Sequence, residues 1–192
     1  MQARGIAVYP HLNEPDKKFD PDGPGVYQLQ LCVGPEEGQA LIDQIEEIRE
    51  EAYKEECKKA KKPKLKKHDL PFTEEYDDEQ NPTGNWLFRI KLKAATSKGL
   101  AQRPTLVDAK LQPMAEVIGS GSDVVVDFQP NTWFVAALGV GVTLRLRGVQ
   151  VLELKEYNPS RVSFTAMEGF ETAAVTFSEA SEDTPSTDDA DF

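Results

Sequence analysis

Residue types that build most catalytic and metal sites are scarce in this chain. It has two cysteines, Cys32 and Cys57, and two histidines, His11 and His68, in 192 residues. Two cysteines cannot make a disulfide framework and fit a reducing compartment. Both are read as idle thiols, Cys32 in a strand and Cys57 on a helix. Neither histidine stands at a metal-ligand spacing from a cysteine, and the two lie in unrelated loop contexts. No apolar run is long enough to span a bilayer, and the N-terminal stretch has no signal-peptide core, so a soluble cytosolic protein is expected. Nucleophile-elbow and dinucleotide-binding patterns are absent. Ile118-Gly119-Ser120-Gly121-Ser122 lacks the lysine and following helix of a phosphate loop and reads as a tight hairpin turn before Val124–Phe128. Asp20-Pro21-Asp22-Gly23 lacks the further ligands of a calcium loop and reads as a turn. Asp108 and Asp127 are the only strand-end carboxylates, too few to hold catalytic metals. No enzyme, metal or cofactor is expected.

Charge is plentiful but segregated. The net charge is −11, and the six acids of residues 178–192, with no lysine or arginine among them, leave −5 for the remainder. Half of the 22 basic residues lie between Lys54 and Lys93. A chain so divided can present a positive surface while remaining acidic overall.

Periodicity then places the elements. Gly5–Tyr9 reads as a short strand, followed by a loop rich in Pro, Asp and Gly. Val26–Val33 alternates, with Tyr27, Leu29, Leu31 and Val33 on one face. Pro35, Glu36 and Glu37 open a helix over about residues 35–62. Its narrow stripe is Leu41, Ile45, Ile48 and Ala52, with Glu50/Lys54 and Glu55/Lys59 as supporting pairs and Pro63 as the stop. Residues 58–67 form a basic linker containing Lys64, Lys66 and Lys67, and residues 68–84 are polar and turn-rich, with a turn at Asn81–Gly84. Trp86–Ala94 is a strong strand: Trp86, Phe88, Ile90 and Leu92 share one face, Arg89, Lys91 and Lys93 the other. Alternate residues there lie about 6–7 Å apart, near the phosphate spacing of an extended single strand. Thr105–Asp108 is a further short strand.

The longest patterned stretch is Trp133–Leu154, expected to be one long curved strand preceded by a turn at Pro130-Asn131. Its even positions from Val140 to Leu154 are assigned to the core, interrupted at Gly148 and Gln150, which predicts a bulge. Arg145 and Arg147 fall on the outward face.

Taken in order, these pieces resemble a family. Gly25-Val26-Tyr27, Glu50-Glu51-Ala52-Tyr53, Leu70-Pro71-Phe72 and Phe88-Arg89-Ile90-Lys91 are followed by Val107-Asp108, the Ile118–Ser122 turn and Pro130–Trp133. Val142–Leu146, Val151–Leu154 and a tail ending in Asp191-Phe192 complete the set. The chain so resembles the single-stranded DNA-binding proteins of T7-like bacteriophages, the gene 2.5 type. It departs from them in having only Arg4 before the first strand, Pro24 in place of an arginine, and a shorter tail.

The resemblance implies a mainly β protein: an OB-fold five-stranded barrel with one inserted amphipathic helix and a disordered acidic C-terminal tail. Residues 1–177 would be the DNA-binding domain and 178–192 the tail. It implies coating and annealing of single strands in phage replication, recombination and repair, in the cytoplasm of an infected bacterial host. It also implies a homodimer, and contacts with the phage DNA polymerase and primase-helicase through Asp188, Asp189, Asp191 and Phe192. The candidate DNA-binding residues are Arg89, Lys91 and Lys93 as backbone-tracking cations and Trp133, Tyr9 and Trp86 as stacking surfaces. Lys64, Lys66, Lys67, Arg145 and Arg147 are added for their charge. Two other readings are an RNA-binding OB module of cold-shock type and a non-catalytic phage structural or interaction protein.

Overall fold

The computed structural model describes residues 1–18, 21–61 and 64–156. Seven strands and one helix follow in the order β1 (Gln2–Asp16), β2 (Val26–Val33), α1 (Pro35–Ala60), β3 (Phe72–Tyr76), β4 (Pro82–Lys93), β5 (Thr105–Val107), β6 (Asp123–Val135) and β7 (Gly139–Glu153). Five of them close on themselves. β1 pairs antiparallel with β2 and β6, β2 with β4, and β6 with β7. A short parallel pairing of β4 with β7, Ile90 opposite Leu144 and Lys91 opposite Arg145, completes the ring. β3 and β5 are attached outside it, on β4 and β7. This is the expected five-stranded OB barrel with one helix, and closure removes the exposed strand edges an open sheet would carry. No helix among the described residues is long and apolar enough to cross a membrane.

Alternation makes the barrel. In β2, Tyr27, Leu29, Leu31 and Val33 all point inward, and β4 supplies Phe88, Ile90 and Leu92 to the same core. β6 adds Val124, Val126 and Phe128. Each such side chain, fully buried, contributes about 1.5–3 kcal/mol relative to exposure. Helix α1 begins at Pro35, with Glu36 and Glu37 in its first turn, and covers the barrel with Leu41, Ile42 and Ile45. Ile48 and Ala52 are only half-buried. Gly38 is required there, because a Cβ would run into the Trp86 indole. The helix ends at Ala60 with Lys61 in the left-handed region at φ 51°, before Pro63, which lies outside the described residues. Glu55 pairs with Lys59 as expected (3.8 Å), whereas Glu50 takes Lys67 across the chain rather than Lys54.

Several expectations are corrected. β1 is not a five-residue strand; it runs to Asp16, bending through irregularities after Val8 and after His11. Phe72–Tyr76, read as polar loop, is a strand because Phe72 packs edge-on to Trp86 (5.8 Å) and against Phe88 (5.7 Å). The turn assigned to Asn81–Gly84 falls earlier, where the Asp77 carboxylate accepts from the N–H groups of Glu79 and Asn81. Ile118–Ser122 does not join a hairpin; it folds onto β1, where Ala7 donates to Ser122 O and Gly121 donates to Ala7 O.

The stretch from Trp133 onward is two strands rather than one. Residues 136–138 turn, so Trp133 belongs to β6 and faces Gly141 across the hairpin. Pro130 and Asn131 are not a turn but lie within β6. The proline fits because β1 pairs with β6 only over Asp123–Asp127, leaving the later part of that edge with no ladder to donate to. The bulge expected near Gly148 is present as a register shift between Asp127 and Phe128. It also reverses the buried face: Val140, Val142, Leu144 and Leu146 point in, then Val149 and Val151 do, and Leu152 is turned out. Gly148 sits where β5 presses closest, a Cβ there meeting Thr105 O at 3.0 Å.

Cys32 and Cys57 are half-buried and unpaired. Burial first, then the Glu75 carboxylate that accepts from its thiol at 3.4 Å, push Cys32 up to about 11. Thiolate is the reactive form, so at pH 8 iodoacetamide should modify Cys32 in a Cys57→Ser protein on the order of a hundredfold more slowly than a free thiol, measured by mass spectrometry. Raising the pH should restore the rate.

Candidate nucleic-acid interface

β2 and β4 run side by side with Gln28 opposite Lys91 and Gln30 opposite Arg89. The polar half of each strand therefore forms one outward surface. β1 delivers Tyr9 and His11 to its side, and the β6–β7 hairpin delivers Trp133 and Thr143. A strap of chain, residues 64–71, crosses this surface, and its His68–Pro71 part forms the remaining wall of a groove. It is held by backbone bonds: Val140 N donates to Lys66 O (2.9 Å), His68 N to Val140 O (2.8 Å) and Arg89 N to Pro71 O (2.8 Å). Leu65 N also donates to the Tyr53 hydroxyl of α1 (3.2 Å). Gly139, at φ +94°, is what lets the strap lie so close, since any Cβ would run into the Lys66 carbonyl.

Four predicted residues, Tyr9, Arg89, Lys91 and Trp133, line this one groove. Arg89 is exposed and anchored by one guanidinium N–H donated to Leu70 O (3.1 Å). The ammonium groups of Lys91 and Lys93 have no hydrogen-bond or ion-pair partner among the described residues, and both side chains remain exposed. Lys93 and Arg145 line an adjoining groove that shares Lys91 and Thr143 with the first. Arg145 is steadied by Gln102 Oε1 at 2.7 Å. The cations thus extend in one row across β4 and β7, with Asp69 as the acid on the first groove's wall.

Trp133 lies over Gly141, whose missing side chain makes room for the indole. The His68 ring meets it edge-on at 5.0 Å. Its Nε1–H is buried without a hydrogen-bond partner. A buried donor left unpaired costs about 1–3 kcal/mol, which an acceptor brought by a ligand would offset. Tyr9 stands 71 % exposed at the bend of β1, in the left-handed region at φ 47°, with its N–H donated to Ser120 Oγ (2.9 Å).

The other predicted residues are elsewhere. Trp86 lies against Gly38 of the helix and Phe72, outside the groove. Lys67 is committed to α1: its ammonium pairs with Glu50 and sits 4.6 Å above the Tyr53 ring. That contact, with help from Arg49 and Lys54, holds Glu50 below the usual carboxylate range. Lys64 is exposed on the strap, and Lys66 contributes its carbonyl there. Arg147 pairs with Asp127 at 3.5 Å. Arg4 donates to both oxygens of Asp123 (2.6 and 3.1 Å), so it ties β1 to β6. Asp108 caps a turn through the N–H groups of Lys110 and Gln112. No group of histidine, cysteine and carboxylates suited to a metal ion occurs among the described residues. Asp188, Asp189, Asp191 and Phe192 lie outside the described residues.

Sequence reasoning missed the histidines. His11 and His68, read as unrelated loop residues, line the same groove, His11 from strand β1 and His68 from the strap. The polar phase of VYQLQLCV could have pointed to Gln28 and Gln30, since those positions face the same side as Arg89 and Lys91. The strap carried no signal beyond its charge.

No protein-family model and no curated protein matches the chain. Solved structures do. A crystal structure of gp2.5, a single-stranded DNA-binding protein encoded by bacteriophage T7, is 27 % identical, covers 86 % of this chain and 97 % of its own, and superposes with a TM-score of 0.66. The single-stranded DNA-binding protein of bacteriophage Enc34 in complex with single-stranded DNA is 20 % identical, covering 81 % of this chain and 88 % of its own at a TM-score of 0.53. A C-terminal truncation of the Enc34 protein aligns at 19 % identity and a TM-score of 0.54. Barrel, inserted helix and order of strands together make this chain similar, over most of its length, to the single-stranded DNA-binding proteins of these phages.

Proposed function

We propose that the chain binds single-stranded DNA without sequence preference in the groove between the strap and the β6–β7 hairpin. One observation carries the reading: Tyr9, Trp133, Arg89 and Lys91, from three different strands, converge on one groove in a fold shared with a protein solved on single-stranded DNA. Backbone phosphates would track Arg89, Lys91, Lys93 and Arg145, while bases stack on Trp133 and Tyr9. Aromatic faces accept any base, which suits a protein that coats whatever strand is exposed. Gln28 and Gln30 on the floor, with both histidines, offer hydrogen bonds to bases without imposing one pattern.

The reading extends to coating and annealing strands during phage DNA replication and recombination, in the cytoplasm of the infected host. The acidic tail, with Asp188, Asp189, Asp191 and Phe192, would recruit the phage polymerase and primase-helicase, and a homodimer would present two grooves. The composition of residues 178–192, six acids and no base, supports a tail that competes with DNA for the cations at high effective concentration.

The test is a titration with single-stranded and duplex DNA at two salt concentrations, read by tryptophan fluorescence. Single strands should quench and duplex should not, and the affinity should fall with a log–log slope of about −0.7 per neutralised phosphate. Equal affinity for duplex, or a flat salt response, would refute the groove as the binding site.

A further inference from the structure

A second groove adjoins the first on the far side of Tyr9. One wall is β1 from Tyr9 to Glu14; the other is the loop 113–120. Leu12 and Ile118 are buried in its floor, Leu106 and Met114 are half-buried there, and Val117 stands 50 % exposed at its edge. Its volume of about 870 Å³ exceeds the about 360 Å³ of the first groove. The walls are fixed. Asn13 donates from Nδ2 to Ala115 O (3.1 Å) and Glu116 O (2.9 Å) and accepts from Ile118 N at Oδ1 (3.3 Å). Met114 N donates to Leu106 O at 3.2 Å.

We propose that this groove is a second nucleobase subsite, taken by the same single strand as it leaves the first groove over Tyr9; the inference rests on the single-stranded DNA reading. Continuity is the main argument. Tyr9 and His11 line both grooves, so Tyr9 is the crest between them rather than the end of a site. A tyrosine held in the left-handed region and largely exposed is an unfavourable arrangement unless its surroundings fix it. Here the Ser120 hydroxyl does so, from the loop that walls the second groove. Chemistry agrees with one strand crossing both. The second groove is wide with an apolar floor of Leu12, Leu106, Met114 and Ile118, suited to flat bases, and Arg103, the one lysine or arginine in its lining, is exposed at the rim where a phosphate would pass. Its single acid, Glu14, is exposed on the opposite wall. The first groove then supplies more of the positive charge, and the second adds a further apolar floor.

The subsite should reveal itself by oligonucleotide length. Oligo(dT) of about four nucleotides fits one groove, whereas about sixteen reaches both. Val117→Asp places a carboxylate at an exposed position in the second groove and should weaken the longer oligonucleotide on the order of tenfold. Arg103→Gln should lower the salt slope on that oligonucleotide by about 0.7. Both variants should bind the short oligonucleotide, and quench through Trp133, as the unaltered protein does. Equal losses on both lengths, or none on either, would overturn the proposal. A change in mass by light scattering on Val117→Asp, with the long oligonucleotide unaffected, would overturn it in favour of self-association. Failure of the unaltered protein to bind either length would instead remove the single-stranded DNA reading itself.

Discussion

Replacing Trp133 with alanine should remove most of the fluorescence quenching caused by oligo(dT) and weaken binding about ten- to a hundredfold, since base–aromatic stacking contributes on the order of 1–3 kcal/mol per base. The expectation follows from how the ring is held. Gly141 lies beneath it and His68 meets it edge-on, so the indole cannot rotate out of the groove without losing both contacts. A pre-fixed ring surrenders little side-chain freedom on binding, which is where much of the affinity of a stacking platform is otherwise lost. The companion variant Trp86→Phe should leave quenching nearly intact, because Trp86 packs on Gly38 and Phe72 outside the groove. Trp133→Ala protein that still quenches like the parent would place the bases elsewhere.

Gly139→Ala is expected to be the more damaging change to the fold, destabilising the protein by on the order of 3 kcal/mol through two separate effects. The backbone at φ +94° disfavours any side chain, and the new methyl would occupy the space of the Lys66 carbonyl. The strap must then lift from the start of β7, breaking the bonds between Val140 and both Lys66 and His68. His68 leaves Trp133, and Leu70 and Pro71 loosen their hold on Arg89. A urea titration should show the loss of stability, and DNA affinity measured well below the unfolding midpoint should fall with it. Full affinity with lowered stability would show that the strap is not part of the site.

How much of this was legible beforehand depended on whether a segment carries its own signal. β2 was readable to the residue, because strict alternation over VYQLQLCV leaves no other face to bury. The start of α1 was readable from Pro35, Glu36 and Glu37, and the row Arg89, Lys91 and Lys93 from the phase of β4. β3 was not: FTEEY has two adjacent acids, and it is a strand only because Phe72 finds Trp86 and Phe88. The extension of β1 through Asn13, Glu14 and Asp16 is likewise made by its neighbours, Val26 and the loop that Asn13 holds. Pro130-Asn131 looked like a turn because the sequence does not say where β1 stops pairing with β6. The same blindness hid the site. Its cations on β4 and β7 and its aromatics Tyr9 and Trp133 were named one by one; that they meet, and that the histidines and the strap join them, depends on distant parts of the chain that only tertiary structure brings together.

The pairing of Ile90 and Lys91 with Leu144 and Arg145 bears on when the protein can work, not only on its shape. β7 closes the barrel and, through Val140, receives the strap, so neither the row of cations nor the groove wall is complete until that strand has been made. The first residue is already waiting for a late one: the Met1 ammonium donates to Phe128 O at 2.8 Å. Contacts of such long sequence separation make folding slow, on the millisecond-to-second scale typical of barrels. In a growing chain that still lacks β7, the proposed groove would be incomplete. Only with the β6–β7 hairpin in place do the row of cations and the strap's anchor at Val140 exist together.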